Sequence, residues 1–303
     1  MSLRNKLLLS FVLTTILPIL ILGIGSFQTF KEALIKDRID ELKTIADLKV
    51  ARIETFFQER RNNIEAIQDN SLIGSLFQTL VQFNNDRDSL AFETSKVRLD
   101  SFLRVTQVIY DYSDVMLVNT EGEIVYHSNA ERETETLGVP LPDPGNKAFE
   151  FGREKIYITD PFISDRGNNF PALLVTGPLH DTSGKWLGLI AFELDMAPIY
   201  HFIQDTSGLG LTGETLLGRK VGKDALFLSP LRHDKTPILQ RKARIGSKTA
   251  FPILEAVQGR EGQGLAMDYR PKKIIAAWRY IPLLDWGMVA KIDTEEAFEP
   301  IET

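Results

Sequence analysis

Glu193 stands in an otherwise apolar run, LGLIAFEL over residues 187–194. If that carboxylate faces inward, its desolvation demands a cation or hydrogen-bond donors; simple strand alternation would instead point it to solvent. Tyr126, Phe149, Tyr157 and Phe162 can wall a concavity nearby, and Asp160 and Ser164 can fix the orientation of what enters. The chemistry on offer is recognition of a small polar molecule. Arg166, beside Asp165, Gly167 and two asparagines, reads as an exposed loop. Arg232 and His233, after Ser229 and Pro230, could hold an anion, although a solvated turn accounts for them as well.

Catalytic patterns do not stand up. The four histidines, His127, His180, His201 and His233, lack metal-ligand spacing, and no HExxH, Walker loop or GxSxG elbow occurs. Gly208, Gly210 and Gly213 spell GxGxxG. Residues 199–205 before them read as helix and those after as strand, the reverse of a dinucleotide site, so the glycines read as an entry turn. The chain has no cysteine, which removes disulfide scaffolds, Cys-ligated zinc, iron–sulfur clusters and thiol nucleophiles together. No metal, no cofactor and no enzymatic activity are expected. With 35 basic against 41 acidic residues the net charge is -6, so nucleic acid is a poor partner.

Composition leaves room for a sizeable core: 303 residues, 43% hydrophobic and 25% charged, enough for about two domains. Residues 7–28 carry no charge and are mostly Leu, Ile, Val and Phe, long enough to cross a hydrocarbon core of about 30 Å as a helix. Thr14 and Thr15 can occupy the carbonyls freed by Pro18. A cleavable secretory signal is the competing reading, with Gly23, Gly25 and Ser26 near a cut site. Either way the bulk of the chain is expected outside the cytoplasm, and the anchor reading tethers it to the cell membrane. Leu42, Ala46, Ile53 and Phe56 then form a heptad stripe interrupted by Lys49. It suits either packing on the chain's own domain or a parallel homodimer through this stalk helix. The helical period continues to a break at Asn84–Asp86, and Ser89 can cap a further helix through Val105.

Beyond Val108 the period becomes that of strands. Residues 115–119 and 123–128 form a hairpin signal, and after a loop at 129–146 further strands are expected at 155–159, 172–179 and 186–194. The fold class is α+β with antiparallel sheets. The order occurs twice. VMLVNTEGEIVYHS (115–128) is echoed by TLLGRKVGKDALFLSP (215–230), with Gly122 and Ser128 answered by Gly222 and Ser229. Pro178, Trp186, Gly188, Ala191 and Asp195 return as Pro282, Trp286, Gly287, Ala290 and Asp293. Agreement at both ends of the unit indicates duplication.

These elements, with the strings FISDRGNNFPALLVTGPLHDTSGKWLGLIAFELD, TGETLLG and YRPKKIIAAWRYIPLLDWGMVAKID, make the chain resemble the double Cache region of bacterial transmembrane receptors. The resemblance covers nearly the whole chain. It implies a tail and span at 1–28, a helical stalk at 29–108, a membrane-distal PAS-like module at 109–199, a proximal one at 200–293, and at 294–303 the start of a helix toward a second span. It also implies a sensor of a small-molecule ligand, bound in the distal module, with the output domain of a histidine kinase, diguanylate cyclase or chemoreceptor beyond. In amino-acid-binding relatives an Arg and a Trp before the third strand clamp the ligand carboxylate, and an acid near the end of the last strand takes its amine. Here Lys147, Phe149 and Phe151 occupy the first region without that pair, and Glu193 stands where the acid would be. An anchored binding or adaptor protein without signalling output is the other class compatible with the sequence.

Overall fold

The computed structural model describes residues 10–132, 137–164 and 170–302. It begins with a π-helical turn, Val12–Ile16, running into α1 (Leu17–Gln68). Thr14 and Thr15 hydroxyls donate to the carbonyls of Ser10 and Phe11, one turn earlier than the carbonyl Pro18 frees. The wider π turn therefore accommodates the proline, and the threonines do not. Phe11, Ile19, Leu20, Ile21, Leu22, Ile24 and Phe27 all point outward. Farther along, α1 buries Leu42, Ala46, Lys49, Ile53, Phe57, Ile64 and Ile67. The heptad stripe thus packs on the chain's own modules, and the homodimer expected through it is not available there: Leu42, Ala46 and Ile53 are already covered.

Two shorter helices follow, α2 (Ser71–Gln82), whose first turn is capped by Asn70 Oδ1, and α3 (Leu90–Tyr110), capped by Ser89 Oγ. Capping satisfies amides that the helix leaves unpaired. Next come β1 (Asp114–Val118), β2 (Ile124–His127), α4 (Lys147–Gly152), β3 (Tyr157–Ile158), β4 (Phe162–Ile163), β5 (Pro171–His180) and β6 (Trp186–Asp195). Their sheet has the order β2-β1-β6-β5-β3, with β4 also on β5. A linking helix, α5 (Ala197–Gln204), leads to β7 (Glu214–Val221), β8 (Asp224–Phe227), β9 (Lys242–Arg244), α6 (Phe251–Ala256), β10 (Gly262–Met267), β11 (Lys273–Ile281) and β12 (Trp286–Asp293). That sheet runs β10-β11-β12-β7-β8-β9, and α7 (Thr294–Glu302) leaves it.

The duplication is visible in this connectivity. The path β2-β1-β6-β5 in the first sheet repeats as β8-β7-β12-β11 in the second. Ser128 Oγ accepts from the Val115 amide at 2.8 Å, and Ser229 Oγ accepts from the Leu217 amide at 3.0 Å. The short helices α4 and α6 are each entered through a left-handed residue, Asn146 at φ 58° and Ala250 at φ 59°.

One continuous core joins α1, α2 and α3 to the inner face of both sheets, including Val115, Leu117, Phe192, Leu217, Ile275 and Trp286. The outer faces have separate small cores beneath the loops. Asp47 of α1 pairs with Arg279 of β11 at 2.6 Å, whereas Gln68 reaches the Pro178 carbonyl at 2.7 Å. At Gly177 a Cβ would come within 2.6 Å of Ile64 Cγ2, so the missing side chain allows the helix to approach. The second module thus lies along the middle of α1 and the first module at its far end from the apolar segment.

Candidate ligand-binding site

Two carboxylates face each other beneath the loops of the first module. The β1–β6 register sets Asp114 opposite Glu193, and both are fully buried. Alternation with Met116 and Ala191, which belong to the loop-side core, puts the pair on the covered face. Ser164 Oγ donates to Glu193 Oε1 at 3.0 Å, and the Arg132 guanidinium pairs with Oε2. Asp114 Oδ2 lies 2.6 Å from His127 Nδ1, while its Oδ1 accepts from Ser128 Oγ at 3.2 Å and the Asn129 amide at 3.1 Å. Like charges directly across an antiparallel pair are unfavourable, and burial raises the cost of leaving them unpaired. The arrangement is therefore a demand for positive charge or donors, met here by His127 at the end of β2, by Ser128, Asn129 and Arg132 after it, and by Ser164 after β4.

Of the residues expected at the site, Glu193, Ser164 and Phe162 come together. Phe162 is buried opposite Ala172, beside the same face. Tyr126 does not join them. Its register opposite Leu117 turns it to the helical side, where its hydroxyl donates to Asp100 Oδ1 at 2.7 Å and burial pushes its pKa up. Phe149 lies at the other end of the sheet, 6.1 Å from Trp186 and against Gly122. Tyr157 and Asp160 look into the junction between the modules, Asp160 pairing with Arg219 of β7. Strand alternation turns Tyr126 away, whereas Phe149, Tyr157 and Asp160 are carried off by the separate α4–β3 segment. Arg166 and its neighbours lie outside the described residues.

Asp114 and Arg132 were not singled out in the sequence, and His127 only as one of four histidines without metal-ligand spacing. The available signal was the repeat: Asp114 immediately precedes the first copy of the duplicated hairpin, as Glu214 precedes the second. Glu214 in turn faces Lys291 across β7–β12. At this matching position the second module therefore supplies its own cation. Lys291 Nζ lies 2.9 Å from Glu214 Oε2 and 2.6 Å from Asp268 Oδ1, all three nearly inaccessible. Tyr269 OH donates to Glu214 at 2.9 Å, and burial followed by the Glu214 charge pushes its pKa up. Arg270 pairs with Asp268 and with Asp293, the latter at 2.5 Å. The cavity bounded by Lys291, Tyr269 and α6 is about 10 Å³, room for one water at most.

Paired modules of this connectivity, packed along one long helix, define a tandem PAS-like fold. The chain belongs to the Cache domain family, which matches it over residues 30–301. Solved sensor domains share the architecture. The sensory domain of the Campylobacter jejuni chemoreceptor Tlp3 aligns with TM-score 0.60 at 12% identity, covering 90% of this chain and 98% of that one. The periplasmic sensory domain of C. jejuni Tlp1 aligns at 0.58 and 17%, covering 88% and 99%. The ligand-binding domain of the Pseudomonas fluorescens chemoreceptor CtaA, in complex with L-isoleucine, aligns at 0.53 and 15%, covering 90% and 99%. At such identities the likeness carries the fold. No curated protein matches the sequence.

Proposed function

We propose that this chain is the input region of a membrane-anchored receptor and that its first module senses a small molecule bearing a protonated amine. The observation that carries the reading is a single difference between repeats. At one cross-strand position the second module holds Glu214 and Lys291, and the first holds Asp114 and Glu193. The second is neutralised from within its own sheet, and the first borrows Arg132 from a loop. A ligand ammonium competes with Arg132 for Glu193, and exchanging one for the other couples occupancy to the β2–α4 loop. The ligands in the structures of Tlp3, CtaA and the Pseudomonas aeruginosa receptor PctC, namely 4-methylisoleucine, L-isoleucine and GABA, all carry an amine.

The outward-facing apolar start of α1 serves as the anchor, and the first module stands membrane-distal. Contacts of both modules along α1, and of Lys31 with Phe298 of α7 at 5.2 Å, give a ligand-induced shift two helices to act on at the membrane. The energy of that shift is the ligand's differential affinity for two arrangements.

Calorimetric titration of the full chain in detergent tests the site. Amines or amino acids are compared with the deaminated acids of the same skeletons. Compounds with an ammonium bind and their deaminated partners do not; Glu193→Gln weakens binding at least tenfold, about 1.4 kcal/mol, and Lys291→Met leaves it within twofold. Binding that survives Glu193→Gln, or that is lost only in Lys291→Met, defeats the assignment.

A further inference from the structure

The junction between the modules holds a cleft of about 780 Å³, within the size range of small-molecule sites. Its floor is α1, one wall is the α4–β3 segment of the first module, and the other is β7 with the β11–β12 turn of the second. Five cations line it: Arg61, Lys147, Lys155, Arg219 and Lys220. Against them stand Glu65, Asp160 and Asp285, and Asp160 is already engaged with Arg219 across the cleft. A local cationic excess in a chain of net charge -6 is opposite to the average surface. Arg61 and Arg219 bring guanidinium groups to its lining, and a guanidinium fork is suited to carboxylate or phosphate oxygens.

We propose that this cleft binds a multiply charged small anion, a polycarboxylate or a phosphate compound, and that the anion bridges the two modules. The cations come from three separate elements, so neutralising them together lowers repulsion across the junction and holds its walls at the observed separation. Tyr157, Ile156 and Leu283 supply apolar surface beside the charges. The site is independent of the amine site: Lys155 and Lys220 do not touch the Asp114–Glu193 face, and neither reading requires the other.

Thermal unfolding of the full chain in detergent, titrated with citrate or pyrophosphate at constant ionic strength with chloride as reference, tests the proposal. Binding to the folded state alone produces a saturable rise in Tm. The double variant Lys155→Gln/Lys220→Gln, both residues exposed, raises the half-saturating concentration at least tenfold, whereas Lys223→Gln, at an exposed lysine outside the cleft lining, changes it less than twofold. Response to only one of the two anions identifies the headgroup chemistry. A rise that does not saturate, a rise unaltered in the double variant, or no rise with either anion overturns the proposal.

Discussion

Lys49 interrupts the apolar stripe of α1, and its ammonium is carried into the interior as a helix cap. Its Nζ lies 2.7 Å from the Asp205 carbonyl, 3.1 Å from that of Ile203, 3.3 Å from that of Phe202 and 3.1 Å from Thr215 Oγ1. These carbonyls close the C-terminal end of α5, where positive charge is favoured. Burial lowers its pKa from 10.5 to about 8, against the opposing pull of Asp205. Since the folded value lies below the unfolded one, the unfolded chain holds more protons between them, and this residue's contribution grows as pH rises through that window. The stability difference between wild type and Lys49→Met, measured by denaturant midpoints, should therefore increase from pH 8 toward 10. A flat or falling difference would contradict the burial argument.

On the scale of elements, the glycine-rich loop before β7 acts as a cradle for the outgoing helix. Glu296 in the first turn of α7 accepts from the Leu211 amide at 2.6 Å, from the Thr212 amide at 2.7 Å and from the Thr212 hydroxyl. Gly210, at φ 68°, sits where a Cβ would come within 2.3 Å of the same carboxylate. The GxGxxG spacing thus has a conformational cause: this turn needs left-handed backbone and close approach. Burial alone pushes Glu296 up, but the hydrogen bonds from Thr212 and Leu211 outweigh it and hold the pKa below the ordinary value. A depressed carboxylate contributes stability above its unfolded pKa and loses it as pH falls through the folded one. Hydrogen exchange at the Ala297 and Phe298 amides should rise several-fold in Glu296→Gln at neutral pH, and wild type should show the same loosening on acidification below about pH 4. Unchanged protection in both cases would detach α7 from this loop.

For the molecule as a whole, one helix links an outward apolar segment to two folded modules, and orientation across the membrane becomes a direct measurement. The chain has no cysteine, so single cysteines report cleanly. In intact cells Leu90→Cys, at a position 83% exposed on α3, should react with a membrane-impermeant maleimide, and Ser2→Cys should react only after the cells are opened. The reversed pattern would place the modules in the cytoplasm.

The apolar helical segment, the long helix, the α+β class and the doubled order were legible because each rests on composition, periodicity or repetition, which are local or self-similar properties of a chain. The capping Ser89, the turn glycines Gly122 and Gly222, and the matched Ser128 and Ser229 belong to that class. Glu193 was legible as an acid in an apolar strand, although not its orientation. What only tertiary structure decided was partnership. Cross-strand register chose Asp114 for Glu193 and Lys291 for Glu214 and turned Tyr126 to the helices, and packing of the two modules brought Asp160 to Arg219. Register joins residues far apart in sequence, and a shift of one position exchanges the faces of a whole strand; no local pattern encodes which charges will meet.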